Sequence, residues 1–403
     1  MMRIFYFNKD NPHDPLTLLS PRPLHFPPEI IQRIVDYVPR TNLPAIASVN
    51  RVWHATVMPV LYRHLYIRTW PHWLLLVRTF SQPSFSSHYG PCVNSLVLQP
   101  SPRLVSSQLT SALNQRVIEN DDALQPSLRG YVRLERVDYQ KTGLETIETP
   151  MLDNEEHENY SEIDTTHKES EWLASVTDDQ VCCVLRHASQ LEYLQLSGCE
   201  NVGDSIMSTL AVTKSMPQSK SMVGLWLSLL RNMTPWGLLQ LIQAEKQYGL
   251  PKRLKHLDLG FQVLMTDEAI HQIASYWGSS LTHIRLNSIY QLTDHAILSL
   301  AEHCPHLQLL HLVRCWPVTN AALHTLAQHG KQLKYVSVSF LSRSNEEGIK
   351  HLIHQCPELV WLDITGCGIN SIFKSIIIEG WRDYRRQHHL PPVYIKDGAI
   401  NLL

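Results

Sequence analysis

Between Leu254 and Cys367 the chain writes one pattern five times: a leucine, two residues, an aliphatic residue, one residue, another aliphatic, then a bend and a helix-forming stretch. The starts fall at Leu254, Leu281, Leu307, Leu333 and Leu359, with spacings of 27, 26, 26 and 26 residues. Two looser units precede them, starting at Leu191 and Met222, with spacings of 31 and 32 residues. A unit of this size cannot bury the apolar face of its strand and helix alone, so neighbours must stack and share one continuous core. The expectation is an α/β solenoid of strand-helix repeats of about 26 residues, which overrides the two or three separate domains that 403 residues would otherwise suggest.

Inside each unit the template leucines lie on one side of a short strand. Eight residues after each start stand Cys199, Leu230, Gln262, Ile289, Cys315, Leu341 and Cys367, where a small buried side chain suits the bend. Four residues later, Thr234, Thr266, Thr293 and Thr319 offer hydroxyls to cap a helix, followed by Asp267, Asp294 or Asn320 in its first turn. The helices are expected to stop near Cys304-Pro305 and Cys356-Pro357, since proline cannot continue them. Thr177 is a candidate cap for a helix completing the unit before Leu191.

Ahead of the repeats, residues 1–23 are proline-rich without periodicity and are read as a disordered lead. The block at 24–68 is helical in pattern. Pro27 and Pro28 open a first helix, with Ile30, Ile31, Ile34, Val35 and Val38 as its apolar face and Pro39 at its end. Asn42 is the expected cap of a second helix carrying Leu43, Ile46, Ala47 and Val49. A third, from about Val52 to Leu61, bears Trp53 and Val57. A connecting helix is expected around Trp73–Phe80, then a degenerate repeat at Val93, Leu96 and Leu98 and another at Leu134, Val137 and Tyr139. Residues 144–171 hold ten acids and one lysine, a net −9 in a chain of net −2, so the rest carries about +7. With few apolar residues to offset the entropy of ordering, this segment is expected to be a disordered insertion.

Pro27, Glu29, Ile30, Ile34, Val35, Leu43, Val49, Arg51 and Trp53 stand in the order and spacing of the F-box motif, which the block resembles, with Phe26, Asn42 and Pro44 as departures. The repeats, with their cysteine at the bend and Cys-Pro helix ends, are similar to the cysteine-containing leucine-rich repeats that accompany F-boxes in one large family. The fold this resemblance implies is an N-terminal three-helix F-box (24–68) followed by a curved leucine-rich-repeat solenoid (69–403). The function it implies is substrate recognition in an SCF-type ubiquitin ligase. Pro27, Glu29, Ile30, Ile34, Val35, Leu43, Val49 and Trp53 would bind a Skp-family adaptor, linked to cullin and a RING subunit, while the solenoid holds a protein substrate for degradation. Two alternatives stand beside it: a helical cap on an interaction scaffold outside ubiquitination, and an enzyme in its own right.

Alternation along the strands sends two columns to the concave face. Among them Tyr193, Trp226, His256, His283, Arg285, His311, Tyr335 and Trp361 are the candidate substrate contacts, being residue types enriched at binding hot spots or neighbours of them. The competing reading is that these rings pack on neighbouring strands.

No nucleotide-binding loop, nucleophile elbow or catalytic-cysteine signature is present, so the chain is expected to be non-catalytic and without cofactor. The pairs His351 with His354, and Cys304 with His303 and His306, do not close a metal-ligand set at finger-like spacing. The segment WRDYRRQHH (381–389) reads as a solvated capping helix or, with its three arginines, as a phosphate contact. The eight cysteines show no disulfide framework and are expected reduced, and with no secretory signal or membrane span discerned the chain is expected in the cytoplasm or nucleus.

Overall fold

The computed structural model describes residues 26–99, 171–369 and 374–397. Its spine is one parallel sheet of ten short strands in sequential order. They are β1 (His64–Ile67), β2 (Ser95–Leu98), β3 (Tyr193–Gln195), β4 (Gly224–Trp226), β5 (His256–Asp258), β6 (His283–Arg285), β7 (Leu309–His311), β8 (Tyr335–Ser337), β9 (Trp361–Asp363) and β10 (Tyr394–Lys396). The register is the one the repeat starts dictate, for example Leu257 beside Ile284 and Leu310 beside Val336. Two strands lie outside the expected array. His64–Ile67, in the stretch read as the end of the helical block, pairs with β2, and Tyr394–Lys396 closes the far edge. The repeat expected at Leu134–Tyr139, the acidic segment and residues 1–23 lie outside the described residues.

Three helices come first: α1 (Pro28–Tyr37), α2 (Leu43–Ala47) and α3 (Arg51–Arg63). They bury a small core of their own, Ile31, Val35, Leu43, Ala47 and Val57. Asn42 does not cap α2; it ends a 3-10 turn in helical conformation and makes no side-chain cap bond. The capping asparagine is Asn50, extended and accepting from the N–H groups of Val52 and Trp53 at 2.9 and 3.0 Å. Asn50 precedes a run of donors that need an acceptor, whereas Asn42 follows a turn that already satisfies them.

The further helices among the described residues are α4 (Trp70–Phe80), α5 (Pro83–Tyr89), α6 (Asp178–Leu185), α7 (Ser205–Lys214), α8 (Pro235–Gln247), α9 (Asp267–Trp277), α10 (Asp294–His303), α11 (Asn320–His329), α12 (Glu346–Gln355) and α13 (Lys374–Gln387). The template positions fill one core running from Leu65 to Ile395. Adjacent strands sit about 4.8 Å apart and packed helices about 8–10 Å, so an array with strands on one side and helices on the other bends with the strands inside.

Two regularities hold each bend. The residue seven places after every start adopts left-handed backbone: Gly198, Leu229, Phe261, Ser288, Arg314, Phe340 and Gly366. From there its N–H reaches the next repeat, as Phe261 does to Asn287 O at 2.7 Å and Ser288 to Val313 O at 2.7 Å. The residue after it reaches the previous repeat: Cys315 Sγ donates to Leu286 O and Cys367 Sγ to Val338 O, each at 3.0 Å, and Gln262 Nε2 donates to Leu227 O.

The threonine caps form as expected at Thr234, Thr266, Thr293 and Thr319, and Asn345 takes the same role for α12. Gln180 accepts from the Thr177 N–H at 3.3 Å and from Trp73 Nε1 at 2.9 Å, joining α6 to α4.

Candidate functional site

The helical trio sends its motif residues in two directions. Val35 and Leu43 lie in its core and Trp53 packs partly against it, while Pro27, Glu29, Ile30, Ile34 and Val49 face outward. Ile30 and Ile34 are 42% and 36% exposed, with Phe26 and Tyr37 continuing their spacing along the chain and Val52 exposed on α3. Ile31, outside the motif set, takes the inward place. The trio is tied to the sheet by Arg40, whose Nη2 donates to Leu61 O at 3.1 Å and to His64 O, with its guanidinium 5.8 Å from the centre of the Tyr66 ring.

On the strand side, parallel in-register pairing sets the two columns side by side. Gln195, Trp226, Asp258, Arg285, His311, Ser337 and Asp363 occupy the inner column, and most are close to fully buried, Trp226 at 6% and His311 at 8%. The outer column, Tyr193, His256, His283, Tyr335 and Trp361, is more open, with Tyr335 the most exposed. The sheet brings the candidates together in two groups. In one, the Trp226 and His256 rings stack with centroids 5.7 Å apart, and His256 lies 4.5 Å from His283. These three line a shallow dip with Leu257, Asp258, Arg285 and Leu309. In the other, His311 lies 6.1 Å from Trp361.

Trp226 fits only because residue 224 is glycine: a methyl there would meet the indole ring and come within 3.1 Å of the Tyr193 ring. Trp226 packs with Val97, Tyr66 and Tyr193 into a separate apolar cluster. Tyr66 and Val97, from the first two strands, and Tyr394 at the last, extend the concave face beyond the expected residues. The alternation in HLYI and VYIK was the available signal.

Charge on this face is paired inward. Arg285 lies 3.6 Å from Asp258, whose Oδ1 accepts from Gly260 N–H at 3.0 Å, and Lys396 lies 3.5 Å from Asp363. Burial, with Arg285 and Lys255 nearby, pushes the His256 imidazole down to about 4, and burial, with Arg285, His283 and Lys396, pushes His311 well below the usual histidine range. Both rings are neutral at physiological pH and offer flat, weakly polar surface.

The other candidates resolve differently. Among the described residues no group of three His, Cys, Asp or Glu side chains is placed to hold a metal ion, and no helix is long and apolar enough to cross a membrane. His354 stacks on Tyr384 at 3.6 Å, which stacks on His388 at 3.9 Å. The arginines of 381–389 are engaged within the chain. Arg382 pairs with Glu379, Arg386 with Glu379 and Asp383, and Arg385 is buried, donating to the carbonyls of Ile353, Cys356, Pro357, Leu359 and Pro391 at 2.8–3.2 Å. This segment caps the array. The eight cysteines are free thiols, and burial pushes Cys199, Cys304 and Cys315 up to about 12.

No protein-family model matches the chain. Over 87 residues it is 30% identical to an F-box/LRR-repeat protein 12 of Arabidopsis thaliana, covering 22% of this chain. The matched stretch likewise spans 22% of that relative's length. A solved structure of the yeast Rad7 and Elc1 complex aligns over 66% of this chain and 95% of its own, at 14% identity and a TM-score of 0.30, too distant to carry fold or function across. The sequence match is thus to part of one F-box/LRR-repeat relative, and the described residues form a parallel strand-helix array.

Proposed function

We propose that the chain is the substrate-recognition subunit of an SCF-type ubiquitin ligase, non-catalytic itself. Its helical trio docks on a Skp-family adaptor, through it on cullin and a RING subunit, and its concave face holds a protein substrate for ubiquitination and degradation. The observation that carries this reading is the outward stripe of Ile30 and Ile34 on α1, preceded by Phe26 and followed by Tyr37 at helical spacing, beside a trio whose own core is only five residues. A contiguous exposed apolar stripe on so small a helical unit asks for a partner surface. Once bound, the protein would act by proximity, raising the effective concentration of a substrate lysine near the charged conjugating enzyme.

The test is co-purification with a Skp-family adaptor. The Ile30→Asp/Ile34→Asp variant, which leaves the buried Ile31, Val35 and Leu43 in place, loses the adaptor while keeping its helical circular dichroism; equal recovery overturns the docking. A second reading, a terminal cap on an interaction scaffold outside ubiquitination, draws on α3 running directly into β1 and on the Arg40 tether. It expects that equal recovery.

A further inference from the structure

Both irregular repeats carry a long connection from helix to strand, and in the second α8 is longer as well, at 13 residues. The connections leading into β4 and β5 span residues 215–223 and 248–255, nine and eight residues, whereas those into β6, β7, β8 and β9 take five each. The two long connections hold Lys220, Lys252, Arg253 and Lys255 and no acidic residue. Lys246, in the last turn of α8, adds a fifth cation.

These cations crowd one edge of the sheet, where the strands begin. Glu192, at the start of β3, takes two of them, Arg253 at 3.1 Å and Lys220 at 3.5 Å. The ammonium groups of Lys246 and Lys252 both sit over the Tyr276 ring, 5.1 and 5.0 Å from its centre. Lys246, Lys252, Arg253 and Lys255 are exposed. With the buried Lys214 and Glu245 beside them, six cations face two acids, Glu192 and Glu245, which leaves a net +4 here. Like charges gathered around one ring repel one another, and an anion shared among them relieves that repulsion. A cation in the last turn of α8 is explained by the helix dipole, but Lys252, Arg253 and Lys255 lie beyond the helix end. Lys255 directly precedes His256, so this rim borders the dip lined by Trp226, His256 and His283.

We propose that the rim formed by the two long connections is a docking surface for an acidic stretch, rich in aspartate and glutamate, of a bound protein segment that continues onto the concave face. This deepens the substrate-binding reading and depends on it. A peptide fits better than nucleic acid, because the patch is confined to two connections and its neighbouring concave face carries paired charges, Arg285 with Asp258, not a cationic stripe.

The test uses a fluorescein-labelled hexaglutamate peptide and its hexaglutamine counterpart, read by fluorescence anisotropy on the full chain at low and moderate salt. The glutamate peptide binds at least tenfold more tightly and weakens with salt. Lys246→Gln/Lys252→Gln/Lys255→Gln weakens it about tenfold with an unchanged melting curve, and Arg382→Gln/Arg386→Gln on α13 leaves it unchanged. Equal binding of the two peptides, an unaffected triple variant, or equal loss from the α13 variant overturns the proposal. Tighter binding of an oligothymidylate, lost in the triple variant, also overturns it in favour of nucleic acid. Tyr335→Ala/Trp361→Ala on the concave face, read with the same glutamate peptide, leaves its binding unchanged, so failure of the rim is told apart from failure of the concave-face reading on which it rests.

Discussion

Asp294 accepts two hydrogen bonds from Thr319 in the next repeat, one from its backbone N–H at 2.7 Å and one from its hydroxyl at 2.6 Å. The same clamp joins Asp204 to Thr234 and Asp267 to Thr293, and Asn320 Oδ1 accepts from the Asn345 N–H at 3.0 Å. One residue type thus does two tasks: the acid sits at the positive end of its own helix and locks the cap of the following one. Asp294→Ala leaves a part-buried N–H and hydroxyl without their acceptor and is expected to cost about 2–3 kcal/mol, measured by urea unfolding. Thr319→Val should cost nearly as much, and the double variant little more than either, because both remove one interaction.

Gly224 is held small by Trp226 and Tyr193. Gly224→Val forces the indole out of its seat, with an expected loss of about 1–3 kcal/mol and a red shift in tryptophan emission. Gly249, which a Cβ would meet nothing near, provides the comparison, although its φ of +61° penalises any side chain there.

Arg385 gathers five carbonyls at the end of α12 and the start of the last turn of chain. Arg385→Ala orphans buried acceptors and is expected to cost about 3 kcal/mol or more, visible as faster proteolysis within α13. Arg385→Lys keeps the charge but not the planar fork, and should recover only part of the loss.

Acid should weaken the fold through its histidines. His64, pushed down to about 4 by burial and by Arg40 and Arg63, and His256, down to about 4 by burial and by Arg285 and Lys255, bind fewer protons folded than unfolded between about pH 4 and 6.5. Their contribution is complete above about pH 6.5 and is lost as pH falls through that window, at up to about 1.4 kcal/mol per pH unit for each fully differential group. Urea midpoints at pH 7.5 and 5.0 should differ in that direction, and His256→Gln should reduce the difference.

Much of this was legible because it is periodic. The register from Leu254 onward, the threonine caps and the Cys-Pro helix ends follow from residue types recurring at fixed intervals. The left-handed column was hidden, since five of its seven members are Leu229, Phe261, Ser288, Arg314 and Phe340, side chains that give no sign of a positive φ. Parallel pairing between repeats imposes that backbone, and no local preference announces it. Which members of the apolar face Ile30, Ile31, Ile34, Val35 and Val38 turn inward was not legible, because a five-residue apolar stripe is wider than the face one helix can bury against two short neighbours. Asn42 and Asn50 are equal as cap candidates by composition; only the turn after Pro39 separates them. Which concave rings are exposed was equally out of reach, for it depends on the residue at the same position one strand away.

The clamp has a gap. Where the ladder calls for an acid or an amide between the second and third of the seven units, the chain has Pro235, which has no oxygen in its side chain to hold Thr266. The same junction, α8 against α9, has one of the thinnest helix contacts in the array. Stretched from its ends or driven towards unfolding, the solenoid has a weak coil there, held by the buried bond from Trp277 Nε1 to Glu245 in place of the clamp, so that it would open as two springs in series and not as one.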